Sequence, residues 1–498
     1  MVLLEKKWGD CMNIAELIVF IIYLVFMIGI GVYFFVRSKG ANEKDYFLGG
    51  RQMGAWVSAL SAGASDMSAW VLMGLPASVF AAGMGQTWIA IGLAIGYALS
   101  WIFEAPRLRR FSIEANDSIT IPQYLTNRFL SRSKALQIIC AVIFIFAYTI
   151  YAASSIKACG TLFNTVIGMN ATVAMYLAAL IIIGYTFLGG FPAVCWTDFF
   201  QGLLMLAALL IAPIFALAMV NGTAATVAEP LPANYWSFTQ DWRDIASGLG
   251  WGLGYFGMPH IIIRFMSVRS QKELRKSSVI GISWTLVILT MSVAAGAVGR
   301  VMSSRGIIEI TDSATVFIQM TRSIFPAVIS GVLLSAILAA SMSTADSQLL
   351  ASASAFASDV YKPVFRKNAS DKEMLWAGRL VVVLIAIIAL LIASNPGSGT
   401  IMGLVSNAWG VFGAAFGPVI LLSLFSRKLT YGGAIAGIVC GALVDILWLA
   451  FLSGTGVYEI IPGFFAGLFA ACLVTMFTPN PAREVDELFD RATRPEAD

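Results

Sequence analysis

The chain has 498 residues, 58% of them hydrophobic and only 12% charged, with a mean hydropathy of +0.82. A soluble domain carries about a quarter charged residues, so this composition belongs to an integral membrane protein. The net charge of +4 points to no particular partner, and continuous rather than alternating apolar runs exclude a β-barrel.

At about 20 apolar residues per helix, the sequence predicts an all-α protein with thirteen transmembrane helices. They lie near 13–36, 55–82, 87–104, 136–157, 171–189, 197–220, 245–265, 279–302, 327–356, 375–394, 401–425, 431–453 and 460–477. Gly49-Gly50, Gly189-Gly190-Phe191-Pro192, Asn395-Pro396-Gly397 and Ser453-Gly454 mark loops between them. Lys6 and Lys7 precede a full-length span, so the first helix reads as retained rather than as a signal peptide. With the N-terminus outside, 25 of the 32 Lys and Arg residues fall on the cytoplasmic side. This bias predicts N-terminus out and C-terminus in. Residues 303–326 are expected to hold a short helix over the outer face. The tail from Thr478 is expected to be a solvated helix or disordered.

The second span is interrupted at 63–68 by Gly63, Ser65, Asp66 and Ser68. Five spans later the seventh reads Gly248-Leu-Gly-Trp-Gly-Leu-Gly-Tyr-Phe-Gly-Met-Pro259-His260. Two interrupted spans in equivalent positions point to inverted repeats with a midplane site. The predicted organisation is an extra helix and loop (1–54), a first five-helix repeat (55–220), its inverted partner (245–425), two extra helices (426–477) and a tail (478–498).

Asp66 is the first functional candidate, because a carboxylate at mid-depth is costly and marks function by default. It reads as a cation-coupling or gating group, or as a cap on the N–H groups freed by the break. Ala64 and Met67 could supply carbonyls to a hard cation if the helix unwinds. Span 9 offers more oxygen: Ser343, Thr344, Asp346, Ser347 and Gln348, with Ala340 one turn earlier. A single membrane Ser or Thr commonly bonds its own helix, but this density is harder to dismiss. Asp346 reads as part of a cation path, an inner gate or an ion pair.

Trp251 and Tyr255 stand at i, i+4 beside glycines that remove bulk, as one wall of a small-solute pocket or as plain packing. His260 is the only histidine, so it builds no metal site and reads as a helix-terminus or inner-gate residue. Tyr148 and Tyr151 read as packing or as a further wall. Asp198 reads as a charge at a helix start, favoured by the dipole, or as a cation exit site. Glu104 and Asp445 read as interfacial. The six scattered cysteines read as packing residues. There is no GxxxxGK[ST] loop for an ATP-driven pump, and one histidine without a GxSxG context supports no hydrolytic triad.

The runs Tyr46-Phe-Leu-Gly-Gly-Arg51, Ser61-Ala-Gly-Ala-Ser-Asp-Met-Ser68, Gly250 to Gly257 with Pro259-His260, and Leu334 to Ala340 with Met342-Ser-Thr344 resemble the solute:sodium symporter family, in its bacterial sodium/proline symporter branch. The similarity runs from about residue 13 to 477 and departs from the branch's pattern at Ala152, Met258 and Asp346. The resemblance implies a leucine-transporter-like fold, no enzymatic activity, and import of L-proline with Na+ across a bacterial inner membrane. It implies a Na+ site from the carbonyls of Ala64, Met67 and Ala340 and the hydroxyls of Ser343 and Thr344, with Asp66 binding or coupling close by. The solute pocket would involve Tyr151, Trp251 and Tyr255, with Ser68 and Trp70 nearby. Arg51 and Asp198 would modulate coupling from the cytoplasmic side. A Na+- or H+-coupled symporter of another small amino acid or a carboxylate is the alternative.

Overall fold

A computed structural model describes residues 13–37, 43–188, 190–222, 230–239 and 241–494. Lys6, Lys7, Cys11, Lys39 and Gly189, which figure in the sequence reading, lie outside them. The described chain is helical throughout, with one isolated bridge between Met53 and Val268. Ten helices among the described residues are long and apolar enough to cross a membrane. The other three predicted spans are the helix Ala171–Leu188 and two segments, at 55–82 and 242–267, that are each broken into pieces.

The first broken segment runs as a helix from Ala55 to Asp66, opens at Met67 (φ −78°, ψ 71°) and Ser68 (φ −66°, ψ −171°), and resumes at Gly74–Ala82 after a 3-10 turn. The break therefore lies at 67–68 rather than across 63–68. Ser68 ends the first half by capping the next, its hydroxyl accepting from the Trp70 N–H. Gly63 is helical and is small for a packing reason. A Cβ there would lie 2.6 Å from the Trp284 ring.

The second broken segment comprises Trp242–Gly250, a 3-10 stretch Trp251–Phe256, an extended Met258, and Pro259–Ser267 with proline in its first turn. The bulk that its glycines remove is taken up by neighbouring groups. A Cβ on Gly254 would lie 2.0 Å from Trp409 Nε1, and one on Gly252 would lie 2.4 Å from the Gly92 carbonyl oxygen. Gly252 lets two backbones touch, as small residues do where membrane helices cross, and Gly254 makes room for the Trp409 ring.

Between the two breaks stands the serine-rich helix Ala327–Ser354, buried along nearly its whole length from Ser330. It packs on Ile14–Arg37, Ala55–Asp66, Ala135–Ile167 and Phe191–Gly222. The last of these starts six residues earlier than predicted, so Asp198 lies about two turns inside it and is not a helix-start charge. Glu104 and Asp445 are fully buried, not interfacial. Helix Val316–Ile324 occupies the 303–326 connection, as expected. Its Arg322 reaches the buried Glu16 of the first helix at 3.3 Å.

Over its described part the tail is a helix, the first of its two expected states, solvated on one face and docked by the other. Helix Arg483–Thr493 buries Val485, Leu488 and Ala492, one apolar stripe at helical spacing. It docks on Ala105–Glu114, with Phe489 edge-on to Phe111 and Arg491 Nε 3.1 Å from Glu114. Arg51, Arg107, Arg109, Arg110 and Arg128 lie at this end, which is called the basic end below.

Candidate functional site

A helix leaves its last four carbonyls without intrahelical partners. In the first broken segment these belong to the turn that ends at Asp66, and side chains from elsewhere meet them. The Ala64 carbonyl accepts from Ser343 Oγ at 2.8 Å and from Thr344 Oγ1 at 3.5 Å. Ser343 Oγ also lies 3.2 Å from the Ala340 carbonyl. The Ser65 carbonyl faces His260 Nε2 at 3.2 Å. The Asp66 carbonyl accepts from Trp70 Nε1 at 3.1 Å and from Tyr151 Oη at 3.5 Å. Thus Ala64, Ala340, Ser343 and Thr344 form one oxygen cluster, and Met67 stands at the break itself, three residues on. All are buried.

The Asp66 side chain makes its hydrogen bond elsewhere. Its Oδ2 accepts from Tyr255 Oη at 2.6 Å, while Oδ1 has no partner among the described residues. Tyr255 is held edge-on by Tyr97 at 5.2 Å and by Trp409 at 5.0 Å. Ser68, Trp70, Tyr151 and Tyr255 are thereby gathered around one carboxylate and one break. Trp251 is not among them. The 3-10 winding of 251–256 turns its ring onto Tyr458 at 5.1 Å, and its carbonyl accepts from Trp409 Nε1 at 2.8 Å. Both Trp251 and Tyr255 touch Trp409, but only Tyr255 reaches Asp66.

The tautomer of His260 follows from its neighbours. A carbonyl can only accept, so Nε2 carries the proton toward Ser65. Nδ1 then accepts from Tyr148 Oη at 3.1 Å, while that same oxygen accepts from the His260 backbone N–H at 2.9 Å. His260 is thus a neutral clasp that ties the inner half-helix Pro259–Ser267 to the end of Ala55–Asp66.

One turn below lies a second polar cluster. Asp198 Oδ2 accepts from Ser61 Oγ at 2.7 Å, Ser65 Oγ at 2.9 Å and the Arg264 guanidinium at 3.1 Å. Arg264 also donates to Ser61 Oγ at 3.1 Å, to Ser347 Oγ at 2.6 Å and to the His260 carbonyl. Ser347 in turn reaches Asp346 Oδ1 at 3.3 Å. Asp346 makes no direct ion pair among the described residues, and its Oδ2 is unpartnered. Burying a pair such as Arg264 and Asp198 is tolerable because each keeps several hydrogen bonds. The cluster fastens four helices at one point.

Arg264 was missed as a site residue; the sequence reading counted it only toward the charge bias. Its signal was available, since a basic residue one turn after His260 in an apolar run needs a buried partner. Arg51 stands apart from both clusters. It donates to Met266 O at 2.7 Å, Ser118 O at 2.8 Å and Ser112 Oγ at 3.0 Å, and pairs with Asp117 at 2.9 Å. It clamps the basic-end loop to the end of Pro259–Ser267.

Known proteins share this architecture. The sodium:solute symporter family profile matches residues 46–441. The chain is 42% identical over 462 residues to the high-affinity proline transporter PutP of Bacillus subtilis (strain 168), covering 92% of this chain and 97% of that protein. It is 42% identical over 487 residues to sodium/proline symporter 2 of Staphylococcus saprophyticus, covering 95% of each. Among solved structures, a Na+-coupled sialic acid symporter in a substrate-bound outward-open state superposes with a TM-score of 0.78 at 21% identity, over 96% of this chain and 100% of that one. At that identity the likeness speaks for the fold. By the family match and the extent of its relatives, this chain belongs to the sodium:solute symporter family, a family of multi-pass membrane transporters.

Proposed function

We propose that the protein imports L-proline together with Na+ by alternating access. The observation that carries the reading is the oxygen cluster at the break, where the orphaned Ala64 carbonyl meets Ser343 and Thr344. Relatives named as proline transporters and sodium/proline symporters, alike over almost the whole chain, support the choice of solute and ion. Na+ takes the carbonyls of Ala64, Met67 and Ala340 and the two hydroxyls, replacing the hydrogen bonds that now close the cluster. A hard cation suits such a set of neutral oxygens. Asp66 lies between the Ala64 and Met67 carbonyls in the chain, and coupling runs through the Tyr255 hydroxyl that holds it. Proline's charged ends meet Ser68 and the half-helix ends, and its ring meets Trp70, Tyr151 and Tyr255, with Trp251 supporting from behind Trp409.

Thirteen spans in a leucine-transporter-like arrangement fit this reading, with inverted repeats at 55–220 and 245–425. The Lys/Arg bias favours an outside N-terminus, so the basic end is cytoplasmic. His260, Arg264, Asp198 and Asp346 then form the inner closure, and Arg51 braces it. Na+ entering with its gradient also gains about 2.3 kcal/mol per 100 mV of membrane potential. The test is radiolabelled proline uptake into proteoliposomes. Accumulation that requires an inward Na+ gradient is expected. Uptake that ignores Na+ and follows a pH gradient, or a failure of proline to compete with the true solute, overturns the proposal.

A further inference from the structure

Helix Tyr431–Phe451 starts at the basic end, just after Arg427, which pairs with Asp490 of the tail helix. Asp445 lies in its far half, fully buried, and neither of its carboxylate oxygens has a partner among the described residues. A second buried acid, Glu459, stands at the start of the next helix, Ile460–Phe477. The two side chains close on one notch beside Gly410 of helix Ile401–Phe425. A Cβ on Gly410 would lie 2.8 Å from Asp445 Oδ1 and 3.3 Å from Glu459 Cγ.

No positive charge enters that notch from the helices that form it. Ile401–Phe425 carries no titratable side chain, and Ile460–Phe477 carries only Cys472, which is exposed. On the helix of Asp445 itself, Tyr431 and Cys440 stand toward the basic end. Trp242–Gly250 brings Arg243 and Asp244, both exposed. Nearby donors are committed elsewhere. Tyr458 Oη donates to the Ser406 carbonyl at 2.7 Å, Trp448 Nε1 to the Val457 carbonyl at 3.1 Å, Trp409 Nε1 to the Trp251 carbonyl, and Tyr255 Oη to Asp66.

Two neighbouring carboxylates in such a place cannot both be ionised, because each charge is costly at depth and each repels the other. A metal cation would need several oxygen ligands around it. The notch is too tightly packed for that, since a Cβ on Gly463 would lie 3.0 Å from the Asp445 Cβ and 2.7 Å from the Ala414 Cβ. A proton needs no such space. The N-terminal end of Ile460–Phe477 favours negative charge on Glu459, which leaves the proton to Asp445.

We infer that Asp445 and Glu459 form a proton-binding site, and that the bound proton keeps helix Ile401–Phe425 seated against them. Loss of the proton puts two like charges against Gly410. The residue before it, Trp409, holds the Trp251 carbonyl and meets the edge of Tyr255 at 5.0 Å, and Tyr255 holds Asp66. A displaced Ile401–Phe425 therefore disturbs the solute wall. The site stands on this geometry, whereas its effect on uptake rests on the symport reading above.

Two measurements on the full-length protein test it. A protonated carboxyl gives an infrared C=O band that an ionised carboxylate lacks. The spectrum of the unsubstituted protein minus that of Asp445→Asn should show such a band at neutral pH and lose it at alkaline pH. A neutral-pH difference without the band overturns the inference. In proteoliposomes with a fixed Na+ gradient, raising the pH on the side opposite the basic end from neutral to alkaline should raise the proline concentration for half-maximal uptake. The expected rise is roughly tenfold, the change that one pKa unit of interaction corresponds to. Asp445→Asn and Glu459→Gln each leave one acid alone and should flatten this dependence, while Glu459→Asp, which keeps the pair, should retain it. An unsubstituted protein indifferent to that pH, or neutral variants that respond as it does, overturns the inference. If Asp445→Asn does not fold, Glu459→Gln, at a helix start, carries both tests. If the unsubstituted protein shows no Na+-driven uptake, the symport reading falls instead, and the infrared difference still decides whether the pair holds a proton.

Discussion

Replacing Asp198 by Asn leaves the shape of the inner cluster intact and removes the only direct counter-charge to Arg264 among the described residues. Asp198 Oδ2 gathers two serine hydroxyls and the guanidinium, and both partners of the pair are buried. Breaking a buried pair by neutralising one member costs about 3–5 kcal/mol. Arg264 keeps Ser61, Ser347 and the His260 carbonyl as acceptors, which places the loss near the lower end, about 3 kcal/mol. If Asp198 were only a helix-start charge, the loss would be about 0.3–1 kcal/mol. The two readings are therefore separable by reversible unfolding in SDS mixed micelles. The cycle Asp198→Asn, Arg264→Met and the double variant should give a coupling energy of at least about 2 kcal/mol. A coupling under about 0.5 kcal/mol, the usual scatter for independent sites, refutes the pairing as the source of the effect.

Other outcomes follow from the geometry. Ser343→Ala and Thr344→Ala should each raise the Na+ concentration for half-maximal uptake by roughly tenfold, the scale of one charge-assisted contact, with the rate at saturating Na+ kept; an unmoved Na+ dependence removes that hydroxyl from the ion site. Tyr255→Ala should raise the proline concentration for half-maximal uptake, whereas Tyr255→Phe, which keeps the ring but frees Asp66 Oδ2, should chiefly weaken Na+ dependence; a shared profile for the two variants refutes the division between ring and hydroxyl. Gly254→Ala drives a methyl group into Trp409 and should cost about 1–3 kcal/mol in the same unfolding assay; a stable variant would mean that the Trp409 ring does not lie against Gly254.

The two broken segments could be read from the sequence because glycines, hydroxyls and an acid interrupt runs that are otherwise apolar. The position of the first break could not, since it turns on Ser68 capping the following turn, and Gly63 is small only because Trp284 lies against it. The union of Ala64 with Ser343 and Thr344 came from family likeness, and the structure brings those atoms together. Arg264 and Asp198 are 66 residues apart, and nothing local in the chain announces that they meet. Glu104 was misplaced for a related reason. Its neighbours Ile102 and Phe103 look like the edge of a span, and only the continuation of the helix to Glu114 shows that the acid is buried. The tail was read by its charge, when its three apolar residues at helical spacing carried the better signal.

The glycine contact between the second broken segment and its neighbour sets what can move. Where Gly252 lies against Gly92, backbone meets backbone with no side chain between to slide or change rotamer. Trp242–Phe256 and the first half of Met84–Glu114 must therefore travel as one lever. Any change of access has to be taken up past that contact, and the first extended residue beyond it is Met258, just before Pro259. The hinge of the transport cycle would then sit at Met258, with the glycine-locked part of the second broken segment rigid on one side of it.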